Sequence, residues 1–263
     1  MPQLPFFQVD AFADRPFTGN PAAVVPLEQW LPDSTMQAIA EENNLAETAF
    51  TVPASGDADY ELCWFTPTVE VALCGHATLA SGHVLLGNRE RLRFRTRKAG
   101  ILVVERDGAD YALDLPQTLV KPGGHESLLD VLGAPDAKLF LSHVGAEATS
   151  IVLLDNEGAV RALVPDMKAL ARIDLMVIAT APGEGSHDVV SRVFVPAWGV
   201  DEDPVTGSAH AALTPFWCDR LGRESFTAFQ ASRRGGLVEC RREGDRAVLG
   251  GRCVTVIEGR ISF

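Results

Sequence analysis

This sequence predicts an α+β fold built from two related domains, on three observations. Short apolar segments separated by Gly, Asp and Pro recur along most of the chain, the pattern of dense β-structure. Two Ala-rich helical stretches stand out, residues 75–86 and Gly207–Leu221. Each follows a similar phrase, Phe65-Thr66-Pro67 before Gly75-His76-Ala77 and Phe194-Val195-Pro196 before Gly207-Ser208-Ala209. The two glycines stand 132 positions apart in a chain of 263 residues. Strand, loop, glycine and helix repeated at half-chain spacing point to two units of common design.

In chain order, residues 6–13 alternate as a strand and 22–26 follow as a short apolar one. Residues 33–42 predict a helix with an N-cap candidate at its start and apolar Met36, Ile39 and Ala40 on one face. Strands are expected at 48–53, 60–66, 92–96, 101–106 and 111–115. Residues 116–124, Pro-Gln-Thr-Leu-Val-Lys-Pro-Gly-Gly, read as a linker. Beyond it, strands are expected at 138–141, 150–154, 175–180, 191–196, 237–241, 247–249 and 253–257. Residues 167–172 predict a helix, and 207–221 a longer one, kinked or restarted at Pro215.

Hydrophobic residues make up 46% and charged residues 22%, so a substantial core is available. The net charge of −12 and one short basic stretch, 89–98, argue against a nucleic-acid or anionic-membrane partner. The first residues lack a basic segment followed by a long apolar run, and no stretch reaches the roughly 20 apolar residues of a membrane span. Five scattered cysteines without a C-x-x-C pair fit neither a disulfide scaffold nor structural zinc, and point to a reducing, cytoplasmic setting.

Helix starts carry backbone N–H groups without intrahelical partners and the positive end of the macrodipole. Two Gly-led starts facing one cleft would cradle a carboxylate or a developing enolate-like charge. Around these turns stand Cys74, His76, Asp203, Ser208 and His210. Read alone, each turn is first an ordinary structural helix start. Glu47 lies between a helix and an apolar strand. It fits an exposed loop carboxylate, or a proton-transfer group if desolvation raises its pKa. Asp201-Glu202-Asp203 supplies too few oxygens for a hard cation and reads as a solvated turn. His83 and Trp64 read as packing or solvent-facing residues, and Gly183 and Gly185 lack the context of a dinucleotide site.

Longer motifs then accumulate: residues 7–12 (Phe-Gln-Val-Asp-Ala-Phe), 17–24 (Phe-Thr-Gly-Asn-Pro-Ala-Ala-Val), 42–50 around Glu47, 64–67 (Trp-Phe-Thr-Pro), 73–80 around Gly75 and 203–209 around Gly207. In this order and over most of the chain they resemble the phenazine-biosynthesis PhzF-like family. The resemblance implies the diaminopimelate epimerase-like fold, two pseudo-symmetric domains, each a β-barrel-like sheet around a central helix, with the site between them. Domains of 1–117 and 118–252 are expected, with the final strand 253–263 returning to the first, and the protein is expected to be a homodimer. The implied activity is cofactor-free and metal-free isomerisation of a small carboxylate-bearing substrate of the dihydro-hydroxyanthranilate type. Glu47 matches the catalytic acid/base, with His76 and Asp203 beside it. Gly75, Gly207, Ser208, Asn20 and Arg234 are expected to bind substrate. The stretch around Arg234 departs from the family's Gln-Gly…Gly-Arg pattern, which puts that residue's role in question. Related epimerases use one thiol from each half; here Cys74 has Thr206 as its counterpart. Cys74 reads as a small buried residue and a two-thiol racemase as the weaker alternative. A ligand-binding protein without turnover is the other.

Overall fold

The computed structural model describes residues 3–145 and 147–263. The chain divides into two compact units. One runs to Leu115 and takes up Gly250–Phe263 again; the other is Pro116–Leu249.

In the first unit, β1 (Gln3–Ala11) pairs antiparallel with β2 (Asn20–Pro26). Helix α1 (Asp33–Asn43) leads to β3 (Glu47–Pro53), parallel to β2. Strand β4 (Tyr60–Phe65) turns back antiparallel, and β5 (Glu70–Val71) extends it. Helix α2 (Gly75–Leu85) crosses to β6 (Arg91–Thr96), parallel to β4. Strands β7 (Ile101–Asp107) and β8 (Asp110–Pro116) follow as antiparallel partners.

The second unit opens with β9 (Leu119–Pro122), α3 (Ser127–Leu132) and β10 (Lys138–Val144). From β10 the order of the first unit repeats. Strand β11 (Thr149–Leu153) is antiparallel to β10. After α4 (Glu157–Ala162) and α5 (Met167–Leu170), β12 (Met176–Pro182) runs parallel to β11. Strand β13 (Val189–Val195) is antiparallel to β12, and a single 3-10 turn and β14 (Val200–Asp203) follow. Helix α6 (Gly207–Leu221) crosses to β15 (Ser225–Gln230), parallel to β13. Strands β16 (Gly236–Glu243) and β17 (Arg246–Gly251) end the unit. Finally β18 (Cys253–Ser262) pairs antiparallel with β1. Each element of the repeat keeps its pairing sense, so the half-chain repetition seen in the motifs is a repetition of topology.

Segment 116–124 is not the linker its composition predicts. It contains β9, which pairs with β10 in the second unit as β18 pairs with β1 in the first. Pro122 closes the strand at its end, where a missing N–H is tolerated. The N-cap expected for α1 is also absent. Pro32 precedes the helix and no side chain caps it, although Asp33 places its charge in the first turn, where the macrodipole favours it.

The central helices are short-sided all round. Gly75 through Gly82 are buried without a break, as are most of Gly207–Cys218; such helices lie inside their domain rather than on it. Their hydroxyls bond back to the preceding turn, Thr78 to Cys74 O, Ser81 to Ala77 O and Thr214 to His210 O, so these hydroxyls are satisfied within the helix. Helix α6 runs through Pro215 as one element. The carbonyl of Ala211, which Pro215 cannot serve, accepts the Thr118 N–H at 3.2 Å instead, replacing the helical bond proline removes. Outside the sheets, α1 covers Val25, Phe50, Cys63 and Phe65 in the first unit, and α3–α5 cover Val152, Val177 and Phe194 in the second. None of the described helices is long and apolar enough to cross a membrane.

Candidate functional site

In the first unit, three element starts converge. Asn20 opens β2, Glu47 opens β3 and Gly75-His76 opens α2. Parallel pairing sets Ala22 beside Glu47, and α2 crosses back over these strands. Asn20 Nδ2 lies 3.2 Å from His76 Nδ1. His76 Nε2 lies 3.1 Å from Glu47 Oε2, with the His76 side chain 6% and the Glu47 side chain 19% exposed. An amide donor on Nδ1 leaves the imidazole proton on Nε2, the side of Glu47. Glu47 Oε2 is itself buried and accepts no well-aligned hydrogen bond. Cys74, the N-cap of α2, is buried with Sγ 3.5 Å from His76 Nδ1 and gives no side-chain cap.

Glu47, Cys74 and His76 present an oxygen, a sulfur and a nitrogen within 4.8 Å of one another, a donor set that suits zinc. The sulfur faces one ring nitrogen and the carboxylate the other, so one ion taking all three would need the ring to rotate. The arrangement fits an imidazole bridging two groups better than a metal centre.

In the second unit, Asp203 ends β14 and Gly207-Ser208 open α6. The Thr206 hydroxyl donates to Asp203 Oδ2 instead of capping the helix. Gln230, fully buried at the end of β15, donates to Asp203 O at 2.7 Å and to Thr206 Oγ1 at 3.2 Å, and accepts from Thr206 N at 2.9 Å. This residue was not among those expected at the site. Its signal was the Gln of the family's Gln-Gly pattern, which this residue supplies. Half-buried Ser208 donates to Met176 Sδ at 3.7 Å. His210, one turn into α6, has Nδ1 2.7 Å from Thr206 O, and its Nε2 is buried without a partner. Burial holds this imidazole down at about 4. Arg234 is half-buried in the turn 231–235, which Ser232 ties to Pro204 O at 2.7 Å.

Register matches the two units residue by residue. Ala22 pairs with Glu47 between β2 and β3, and Thr149 pairs with Met176 between β11 and β12. Both second residues open the third strand of the repeat. Met176 therefore holds the position of Glu47, and Ser208, its contact, that of His76. The predicted site residues thus fall into two groups: Asn20, Glu47, Gly75 and His76, and Asp203, Gly207, Ser208 and Arg234.

Other expectations are corrected. Residues 201–203 form part of a strand rather than a solvated turn, and Glu202 is held by both Nε and Nη2 of Arg192 at 2.7 and 3.0 Å. His83, by contrast, packs as expected, edge-on to Tyr111 and bridging Tyr111 OH and Thr255 Oγ1 at 3.0 and 2.9 Å. A cavity of about 530 Å³ between the end of α3 and α4 contains none of the predicted site residues.

Comparison with known proteins agrees with this architecture. A family model described as phenazine biosynthesis-like protein matches residues 9–259. An uncharacterized isomerase of Pseudomonas aeruginosa is 51% identical over 98% of both chains. A crystal structure of a PhzF-family phenazine biosynthesis protein from Enterococcus faecalis is 41% identical, covers all of both chains and superposes with a TM-score of 0.88. A predicted epimerase from Pseudomonas aeruginosa shares 19% identity with a TM-score of 0.74 over 98% of this chain and 99% of its own, which shows a common fold. The fold is α+β and epimerase-like, as the motifs led one to expect. By that match over nearly its whole length, the chain belongs to the phenazine biosynthesis-like (PhzC-PhzF) family.

Proposed function

We propose that this protein moves a proton between two carbons of a small carboxylate-bearing substrate of the dihydro-hydroxyanthranilate type, with Glu47 as general acid and base. That it is an isomerase follows from its family and from the relative at 51% identity. The observation that carries the finer reading is the Glu47 oxygen, shielded from water, untied by any aligned donor and beside the His76 N–H. Such a carboxylate can take a proton from carbon without first giving up a hydrogen bond. The proton returns to a second carbon of the same molecule, so no oxidant or reductant is consumed. Neither central helix is capped by its N-cap side chain. In this reading the first-turn amides of α2, beside Glu47, bind the substrate carboxylate and stabilise charge developing during transfer. A homodimer, from the family resemblance, in the cytoplasm, from the five scattered cysteines, completes the proposal.

The test is deuterium incorporation from D2O during turnover of a dihydro-hydroxyanthranilate. Glu47→Gln should cut incorporation by roughly 10²–10⁴-fold with an unchanged melting temperature. Retained incorporation would refute the role of Glu47. Binding without any incorporation in the wild type would favour a ligand-binding protein.

A further inference from the structure

The loop between β1 and β2, residues 12–19, feeds directly into the Glu47 site, and its backbone is strained. Three described non-glycine residues have positive φ: Phe12 (55°), Phe17 (71°) and Asn44 (48°). Asn44 is the C-cap of α1, where a left-handed asparagine is ordinary. The other two are phenylalanines in one loop, and the left-handed region is costly for a bulky side chain.

Their surroundings differ. Phe12 is 2% exposed and packs so closely that a Cβ on Gly251 would fall 2.4 Å from its ring. Packing therefore explains Phe12. Phe17 is 73% exposed, so packing does not explain it. Its backbone is nevertheless fixed from both sides. Buried Asp10 accepts the Phe17 N–H at 2.7 Å. Gly19 approaches so closely that a Cβ there would lie 2.2 Å from Ala11 O. A glycine or asparagine would hold φ 71° with less strain, yet the position carries a phenyl ring held out into solvent.

Its place in the chain supplies a use for the ring. Phe17 stands three residues before Asn20, a span of at most about 10 Å. Asn20 contacts His76, and the following Ala22 pairs with Glu47. The Phe17 backbone therefore lies within about 10 Å of Asn20, at the end of the sheet where Asn20, Glu47 and the start of α2 meet, and its exposed ring is free to turn toward a ligand there.

We propose that Phe17 is a specificity-determining residue that lays its ring on the conjugated face of a partly unsaturated ring acid held at Glu47. The proposal rests on the reading of Glu47 as the proton carrier. The sp3 C–H beside a conjugated diene is the activated one that such a carboxylate can take, and an aromatic side chain prefers a flat π-face to a puckered saturated ring.

The test measures binding, not turnover, so it is separable from the Glu47→Gln experiment. Isothermal titration gives Kd for anthranilate, which is planar, and for cyclohexanecarboxylate, which is not. The wild type should favour anthranilate, and Phe17→Asn should shrink that preference by about 3- to 10-fold. Phe17→Tyr should keep it. Asn tolerates the left-handed backbone, so the melting temperature of Phe17→Asn should match or exceed the wild type. An unchanged preference in Phe17→Asn, or no binding of anthranilate by the wild type, overturns the proposal. So does a change in sedimentation coefficient with selectivity intact, which would assign the ring to contact with a second copy. Loss of selectivity with exchange retained in Glu47→Gln would uphold Phe17 and refute the Glu47 reading alone.

Discussion

Acidification from pH 7 to 5 should weaken the second unit through one side chain, His210. The imidazole is fully buried in α6, donates from Nδ1 to Thr206 O at 2.7 Å, and has nothing to receive a proton's charge at Nε2. Burial lowers it from 6.5 to about 4. A histidine depressed in the folded state stays neutral there while the unfolded chain takes up the proton. Its contribution is therefore intact above about pH 6.5 and declines as the pH falls toward 4. A gap of about 2.5 units at about 1.36 kcal/mol each amounts to roughly 3 kcal/mol over that window, about 2 of it lost by pH 5. Urea unfolding between pH 4.5 and 7.5 reads this directly. His210→Asn, whose amide can keep the bond to Thr206 O, should be less stable at neutral pH but should flatten the curve between pH 6.5 and 5. Parallel curves for the two proteins would refute the assignment of the acid sensitivity to His210.

Two further substitutions test the packing that holds the site. Gly82→Ala places a Cβ 2.4 Å from Val104 Cγ1, pressing α2 against β7, and should cost about 1–3 kcal/mol by urea unfolding, partly restored by Val104→Ala. Gln230→Leu removes the buried amide that ties Asp203 and Thr206 together. It should lower stability by about 1–3 kcal/mol and raise KM, whereas an unchanged unfolding midpoint would mean the segment holds itself.

Much of the fold is written in local patterns. Alternation marked most strands to within two or three residues, and the small residues of 75–82 and 207–214 marked the central helices. Strand β1 ends at Ala11 because Phe12 turns left-handed, which its identity does not announce. Strand β9 was hidden by flanking prolines, since its pairing with β10 depends on a partner about 20 residues away. Strand β15 was passed over although Ser225–Gln230 alternates regularly in burial. The continuity of α6 across Pro215 depends on Thr118, nearly a hundred residues earlier. The site divides in the same way. Glycine-led helix starts are visible locally, but Glu47 is separated from His76 by 29 positions, and only strand register and the family motif single it out. Gln230 is the Gln of the family's Gln-Gly pattern, but its role in holding Asp203 and Thr206 shows only in the fold.

Under the proposed function, the differences between the two halves leave proton transfer to the first. The first half has Glu47 at the start of its third strand with His76 against it; the second has Met176 and Ser208. A thioether accepts the Ser208 hydroxyl weakly and neither gives nor takes a proton. Cys74 has Thr206 as its counterpart, and that hydroxyl is committed to Asp203 Oδ2. Asp203 also has its carbonyl held by Gln230, an arrangement that suits an anchored acceptor better than a mobile base. Two-base epimerisation needs a proton carrier in each half, whereas these halves share topology and differ in chemistry. Turnover in D2O should therefore place deuterium on a single face of the product, with no label inverted at a stereocentre, as resolved by NMR of the isolated product. Label on both faces would mean that a second base operates, with Asp203 the group to replace by Asn next.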